Sequence, residues 1–322
     1  MSPTAPPDQD EPCYEGVVAA AAALAPLLPS TPAWQYPRLD AAVGAEVVVK
    51  HENTQPTGAF KVRGGLALLA AAPRERWASG LVTASTGNHA QSIAYAAGHH
   101  GVPALIVAPT SAPEGKLESV RALGAEVVVH GDDMTAAIAR GRELADQRGA
   151  WFVDPGGEPD IVHGHATVSL ELFTSHPDLD AVYVPVGSGT SAAGICLVRD
   201  VLAPGCKVIG VQSAQAPAAQ LTWASGVPTE APCRTRASGL ATGAPFALTQ
   251  RIMAGGLARF LLVDDDAIDE ARRLLATHAH TLAEGAGAAA LAGALADRDR
   301  PRRIGVICSG GNADAAELAS LG

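Results

Sequence analysis

Short runs of β-branched and aliphatic residues alternate along the chain with Ala-rich stretches of helical length. Val47-Val48-Val49 opens the pattern, and a Gly-punctuated turn then leads into a helical stretch from Phe60 to Ala71. Strand–helix pairs follow at Leu81–Thr83 with Asn88–Gly98, at Ala104–Val107 with Glu114–Leu123, and at Val127–Val129 with Met134–Gln147. Val182–Val186 precedes a helix at Ser191–Leu202; Val208–Val211 is a further strand, and Ile304–Ile307 leads into a last helix at Asp314–Leu321. Apolar strands without in-and-out alternation, each feeding a helix, predict open, mostly parallel sheets with helices on both faces. The stretch from Trp77 to Gly149 holds a self-sufficient set of three such units. It reads as a small domain, 77–149, inserted into a larger one formed by 15–76 and 150–322. Residues 1–14, with Pro3, Pro6 and Pro7, read as a disordered tail.

Composition narrows the class. The 322 residues are 48% hydrophobic and 17% charged, which excludes a disordered or fibrous chain. Aromatics are 4%, so the core is built from Ala, Val, Leu and Ile. A net charge of -10, with no Lys/Arg-rich run, argues against a nucleic-acid partner. The longest apolar run, Val17 to Leu28, is mostly Ala and contains Pro26, whereas a membrane span needs about 20 residues. Acidic residues before it exclude a secretory n-region. Cys13, Cys196, Cys206, Cys233 and Cys308 are scattered and form no C-x-x-C pair; they read as reduced, buried thiols of a cytoplasmic protein.

Four stretches carry candidate chemistry. In Gln55-Pro-Thr-Gly-Ala-Phe60-Lys61-Val-Arg-Gly-Gly65 a turn feeds a helix whose first turn holds Lys61. The positive end of a helix repels a cation, so the position suits a depressed-pKa amine of the Schiff-base type; an ordinary surface lysine fits the same residues. Thr83-Ala-Ser85-Thr86-Gly87-Asn88-His89 follows a strand and exposes N–H groups that suit a carboxylate, or else caps the helix. Gly187-Ser188-Gly189-Thr190 is a Gly-rich turn between strand and helix, the recipe for gripping a phosphate. With Ala192 it formally satisfies a dinucleotide pattern, but the next strand ends at Gln212 where a ribose-binding acid belongs. The last strand delivers Ser309 into another Gly turn. The pairs His99 and His100, His163 and His165, and His278 and His280 share no helical face and read as solvated rather than metal-ligating. No G-x-S-x-G elbow supports a hydrolase.

In this order and at these intervals the motifs resemble the serine/threonine dehydratases. These are enzymes of the tryptophan-synthase-β type (fold type II) that use pyridoxal 5′-phosphate. Ser238-Gly239-Leu240, Glu284-Gly-Ala-Gly-Ala288 and Ser309-Gly-Gly-Asn312 match further landmarks, and the resemblance runs from about Thr31 to the C-terminus. It implies two α/β domains with the cofactor in the cleft between them, a dimer, and the conversion of L-threonine, L-serine or a similar 3-hydroxy amino acid to a 2-keto acid and ammonia. It also assigns roles. Lys61 holds the cofactor and moves the Cα proton, Phe60 packs beside the ring, and Asn88 bonds the ring hydroxyl. Ser85, Thr86, Asn88 and His89 bind the substrate carboxylate, with Thr86 also a catalytic candidate. Gly187, Ser188, Gly189 and Thr190 cradle the phosphate, with the hydroxyls of Ser188 and Thr190 as donors. Ser309 bonds the ring nitrogen, and Gly239 and Glu284 line the pocket.

Departures from the family pattern leave other activities open. Thr86 stands where racemases carry a serine base, and a β-branched threonine suits that task less well. Val153-Asp-Pro-Gly-Gly-Glu158 and His163-Gly-His165-Ala-Thr167 depart from the usual runs, which opens a bulkier 3-hydroxy substrate or β-replacement. A non-catalytic amino-acid-binding relative is the reading from another class, and Lys61 argues against it. Some relatives bind a divalent cation beside the strand that here ends at Ser213; Gln212, Ala216 and Ala218 occupy those positions, so no metal is expected. Asp264-Asp265-Asp266 reads as caps and solvated charges. The sequence stops where biosynthetic relatives add a regulatory domain, so no end-product control is expected.

Overall fold

The computed structural model describes residues 11–321. Most of the expected tail lies outside the described residues; its last residue, Tyr14, already opens helix α1 (Tyr14–Leu24), which buries Val17 and Leu24. Among the described residues no helix is long and apolar enough to cross a membrane.

The larger sheet runs β1-β2-β10-β7-β8-β9. Its strands are β1 (Ala33–Gln35), β2 (Glu46–His51), β7 (Ala181–Pro185), β8 (Lys207–Ser213), β9 (Arg259–Val263) and β10 (Arg303–Cys308). Only the edge strand β1 pairs antiparallel. Helices α2 (Pro37–Val43), α12 (Asp265–His278) and α13 (Gly285–Ala296) share one apolar cluster on one face. On the other face lie α8 (Pro159–Ser175), α9 (Thr190–Leu202), α10 (Ala218–Ser225) and α11 (Ala247–Gly256). Central strands such as β7 are buried along their whole length, as a strand covered on both faces must be.

The smaller sheet is fully parallel, in the order β5-β4-β3-β6. It comprises β3 (Leu81–Ala84), β4 (Ala104–Ala108), β5 (Glu126–Val129) and β6 (Trp151–Phe152). Helices α5 (Asn88–His100) and α6 (Glu114–Ala122) cover one face and α7 (Met134–Arg148) the other; α4 (Arg74–Trp77) leads in, and α14 (Ala315–Ala319) lies near the C-terminus. The set is less self-sufficient than its sequence suggests. Strand β6 begins just past 149 and pairs with β3, so we propose that the smaller unit ends after β6. Its apolar cluster also takes in Leu24 and Leu28 and the Val62, Leu66 and Leu69 face of α3 (Lys61–Ala71).

Helix α3 thus packs on both α5 and α8, and a buried ion cluster fixes it there. Arg63 is 2% exposed. Its Nε and Nη2 donate to Glu52 Oε2 at 2.8 Å and Oε1 at 2.9 Å. Its Nη1 donates to Glu171 Oε1 at 2.7 Å and to Thr167 Oγ1 at 3.0 Å. Lys50 adds a second cation against Glu171, and Thr31 Oγ1 donates to Glu52 Oε1 at 2.5 Å. Burial alone would neutralise these groups, yet Arg63 and Lys50 hold the Glu171 carboxyl below its ordinary value and the two carboxylates keep Arg63 charged. Removing one partner of such a cluster strands the others. Arg63→Met is therefore expected to lose about 3–5 kcal/mol of stability in urea titration. Arg236→Met, which cuts the exposed pairs to Asp266 and Asp269, should lose about 0–1 kcal/mol.

Candidate active site

Parallel sheets present their loops on the side where the strands end, and a cavity forms there. It has a volume of about 1020 Å³ and is lined by Phe60, Lys61, Ser85, Thr86, Asn88, His89, Gly187, Ser188, Gly189, Thr190, Gly239, Glu284 and Ser309. Every candidate residue nominated by the sequence is therefore on one wall or another of the same space. Both sheets contribute, through the loops after β3, β4, β5 and β6 and after β7 and β10.

Lys61 is the first residue of α3 and is half-buried. Its Nζ lies 3.4 Å from Ser188 Oγ and 3.4 Å from Thr190 Oγ1, and 5.1 Å from the centre of the Phe60 ring. Among the described residues no carboxylate pairs with it, and burial lowers the amine to about 8. The two surrounding histidines are neutral: burial, then the nearby Lys61 charge, lowers His89 to about 3 and holds His165 far below the usual imidazole range. An amine lowered to about 8 has an uncharged fraction at neutral pH far above that of a free lysine, and that fraction, open to a cavity, is a nucleophile.

The loop after β7 makes a cup. Gly189 has φ +83° and caps α9, and a side chain on Gly187 would run into the Gly239 carbonyl at 2.3 Å. Small residues thus leave the first turn of α9 open, with no side-chain cap on its N–H groups. Ser191, which the sequence reading did not nominate, lines the same cup with a buried Oγ that has no partner. An unpartnered hydroxyl beside free helix N–H groups matches a phosphate.

The loop after β3 is built alike. Gly87 caps α5 without a side-chain bond, so the alternative of Ser85, Thr86 or Asn88 capping the helix is not what forms. Ser85 Oγ instead accepts from the Gly87 N–H at 3.3 Å. Asn88 Nδ2 donates to Glu284 Oε1 at 2.5 Å, and Asn312 Nδ2 donates to Asn88 Oδ1 at 2.7 Å. Burial pushes the Glu284 carboxyl up against the opposing pull of Asn88. The His89 ring bonds Thr83 Oγ1 through Nε2 at 3.1 Å, which engages that nitrogen away from the substrate. Ser309 is 4% exposed, with Oγ 3.3 Å from the Ala286 carbonyl.

Several expectations need correction. His163 and His165 are buried rather than solvated: His163 Nε2 accepts from the Cys13 N–H, and His165 Nδ1 lies 2.9 Å from Thr190 Oγ1. Cys233 is exposed and lines the cavity, and Cys13 is half-buried, so only Cys196, Cys206 and Cys308 are the buried thiols expected. Asp265 is no solvated charge either; it accepts from Ser213 Oγ, Thr235 Oγ1 and the Arg236 N–H. Lys116, also unremarked in the sequence, reaches across from α6 to Ser238 Oγ at 2.5 Å.

With this geometry in view, the comparisons are direct. The family model described as "Pyridoxal-phosphate dependent enzyme" matches residues 24–310. The chain belongs to that family. Its cofactor is pyridoxal 5′-phosphate, and the cup, the free Ser191 hydroxyl and the lowered pKa of the Lys61 amine fit that group. The L-threonine ammonia-lyase of Geobacter sulfurreducens is 36% identical over 280 residues, 86% of this chain and 70% of that protein. The catabolic L-threonine dehydratase of Escherichia coli is 33% identical over 86% of this chain and 85% of its own length. The biosynthetic enzyme of the same organism is 36% identical, but the match spans only 56% of it. Among solved structures, maize serine racemase superposes with a TM-score of 0.91 at 30% identity, covering 96% of each chain. A T.th. threonine deaminase superposes at 0.89 and 35% identity, covering 94% of this chain and 99% of that one.

The position beside β8 carries no charge. Gln212 Oε1 accepts from the Gln220 N–H at 3.0 Å, its Nε2 is buried without a partner, and Ala216 and Ala218 are fully buried. Among the described residues no group of three or more His, Cys, Asp or Glu is placed to hold a metal ion. Chelation with EDTA is accordingly expected to leave activity and melting temperature unchanged in this family member. A loss of either that magnesium restores would refute that expectation.

Proposed function

We propose that this chain is an ammonia-lyase that converts L-threonine or L-serine to a 2-keto acid and ammonia. The observation that carries the reading is the neutral-range amine of Lys61, set at the mouth of the α9 cup in a cavity both sheets share. Relatives whose names state L-threonine ammonia-lyase or dehydratase activity, at 33–36% identity, support the substrate class.

In this proposal the N–H groups of the first turn of α9 and the hydroxyls of Ser188 and Ser191 hold the cofactor phosphate. Phe60 would flank the cofactor ring, Asn88, itself held by Glu284 and Asn312, would hold the ring hydroxyl, and Ser309 would offer the ring nitrogen a neutral hydroxyl where a carboxylate would favour its protonation. When bound, pyridoxal phosphate supplies the electron sink that makes the substrate Cα–H acidic. Lys61 Nζ takes that Cα proton, which an amine near 8 does readily at neutral pH. The uncapped N-terminus of α5, with Ser85, Thr86 and the His89 backbone, binds the substrate carboxylate and fixes which face meets Lys61. The β-hydroxyl leaves as water with one proton, which balances the one Lys61 takes from Cα; a water later replaces the amino group, and ammonia departs. Gly239 and Glu284 line the cavity beside these groups. A dimeric state and a cytoplasmic location belong to the same proposal.

Two measurements test it. Lys61→Ala should lose turnover and the visible absorbance of the bound cofactor while keeping its circular dichroism; keto-acid release at the wild-type rate would end the proposal. The same keto-acid assay over a panel of 3-hydroxy amino acids, with chiral analysis of recovered substrate, separates dehydration of threonine and serine from a bulkier substrate or racemisation. Ser309→Ala removes one buried hydrogen bond of about 0.5–1.5 kcal/mol, and should weaken cofactor retention by roughly two- to tenfold. Retention equal to wild type would show that Ser309 does not meet the ring nitrogen.

A further inference from the structure

Helices α8 and α9 meet beneath Lys61 through two side chains, His165 and Thr190. His165 is 1% exposed, and its ring stands edge-on to Phe60 with centroids 4.6 Å apart. Its Nδ1 lies 2.9 Å from Thr190 Oγ1. Its other nitrogen, Nε2, packs against the backbone of α3 at Gly64, where the nearby Lys61 carbonyl favours a hydrogen on the ring. A carbonyl only accepts, so the ring nitrogen facing it carries the hydrogen. Burial and the nearby Lys61 charge keep the imidazole neutral, with a single N–H. Nδ1 is taken by Thr190, so the N–H is at Nε2 and Nδ1 is an acceptor, an assignment that follows from the partners. The one hydroxyl hydrogen of Thr190 then goes to Nδ1. Its oxygen has only lone pairs left for Lys61 Nζ at 3.4 Å, and Ser188 Oγ, 3.3 Å away, keeps its own hydrogen for that oxygen or for the phosphate.

We infer that His165 and Thr190 form a positioning pair for Lys61: His165 turns the Thr190 hydroxyl so that its oxygen accepts from the Lys61 amine and does not donate to the cofactor phosphate. A neutral amine that gives one hydrogen to Thr190 and the other to Ser188 has its lone pair fixed away from both, toward the cavity. No proton changes owner in the pair; it sets direction. The expected phosphate donor Thr190 thus belongs to the lysine, and the hydroxyls left for the phosphate are those of Ser188 and Ser191. The inference rests on the family's cofactor and not on which amino acid is the substrate, so it stands or falls apart from the dehydratase proposal.

The test follows the return of visible absorbance when cofactor-stripped protein is given pyridoxal 5′-phosphate or pyridoxal, which lacks the phosphate. Rates are taken at several pH values around the Lys61 midpoint near 8. The titratable groups facing the amine are His89 on α5 and His165 on α8, both neutral there, with Glu284 on the cavity wall. Thr190→Val and His165→Leu should slow the return by roughly three- to tenfold, by the same factor for both reagents. The midpoint should fall further, because the charged amine has lost an acceptor. Inhibition by inorganic phosphate should not change. Thr190→Ser should restore the rate. His165→Asn, whose amide oxygen replaces Nδ1, should restore it too, whereas His165→Gln, which reaches the position of Nε2, should not. Slowing confined to pyridoxal 5′-phosphate, with weaker inhibition by inorganic phosphate, would overturn the inference by giving Thr190 to the phosphate. A midpoint that rises toward the 10.5 of a free lysine would overturn it by showing that the variants merely let water in.

Discussion

The guanidinium of Arg63 is the constraint on which the active site depends. It stands two residues from Lys61 in the first turn of α3, where the helix dipole disfavours a cation, and it is sealed from water. Such a charge is tolerable only with complete compensation. Glu52 from the end of β2 and Glu171 from α8 supply it, each with two oxygens on the planar fork. A lysine could not satisfy both carboxylates in that geometry. The cluster therefore specifies one placement of α3 relative to the larger sheet and α8, and so one placement of Lys61. The smaller sheet follows, because its core is completed by the opposite face of α3.

Helix ends show the same trade between stability and chemistry. Helices α7, α12 and α14 are closed by Asp133, Asp264 and Asp314, each accepting from an N–H of the first turn. Helices α3, α5, α9 and α13, which bring Lys61, Asn88, Thr190 and the Glu284 cap to the cavity, have no side-chain cap. Each uncapped end forgoes about 0.5–2 kcal/mol. Several helices away from the cavity also lack such a cap, and the first N–H of α13 goes to Glu317; at α5 and α9 the open ends keep N–H donors where anionic groups of cofactor and substrate are to sit.

The β-branched strands and the Gly turns after them were legible because each rests on local chemistry: strand propensity, chain reversal, close approach of backbone. The residues nominated from those turns do converge on one cavity. What was not legible is instructive. Helix α8 was missed because its buried face carries His163, His165, Thr167 and Ser169, polar residues that mask an apolar stripe and are satisfied only by distant partners. Helix α13 is nearly all Gly and Ala, with no periodicity to read, because it is buried on all sides. Strand β6 is two residues long and gains its identity only by pairing with β3. Ser191 was read only as the start of the helix after the Gly-rich turn, and only the absence of any partner for its hydroxyl among the described residues marks it.

These long-range polar contacts also explain how an acidic chain keeps a lysine available. The net charge is -10, yet among the described residues no carboxylate bonds Lys61, and its hydrogen-bond partners are the neutral hydroxyls of Ser188 and Thr190. An acid within reach would hold the amine protonated and remove its lone pair. The single buried acid on the cavity wall, Glu284, is itself pushed toward its neutral form by burial and engaged by Asn88. Lys61 is pushed down and Glu284 up by the same low-dielectric surroundings, so the two are moved away from forming an ion pair rather than toward it. The apolar packing of α3 and α13 is in that sense part of the chemistry: it keeps an amine basic enough to take a proton and uncharged often enough to do so.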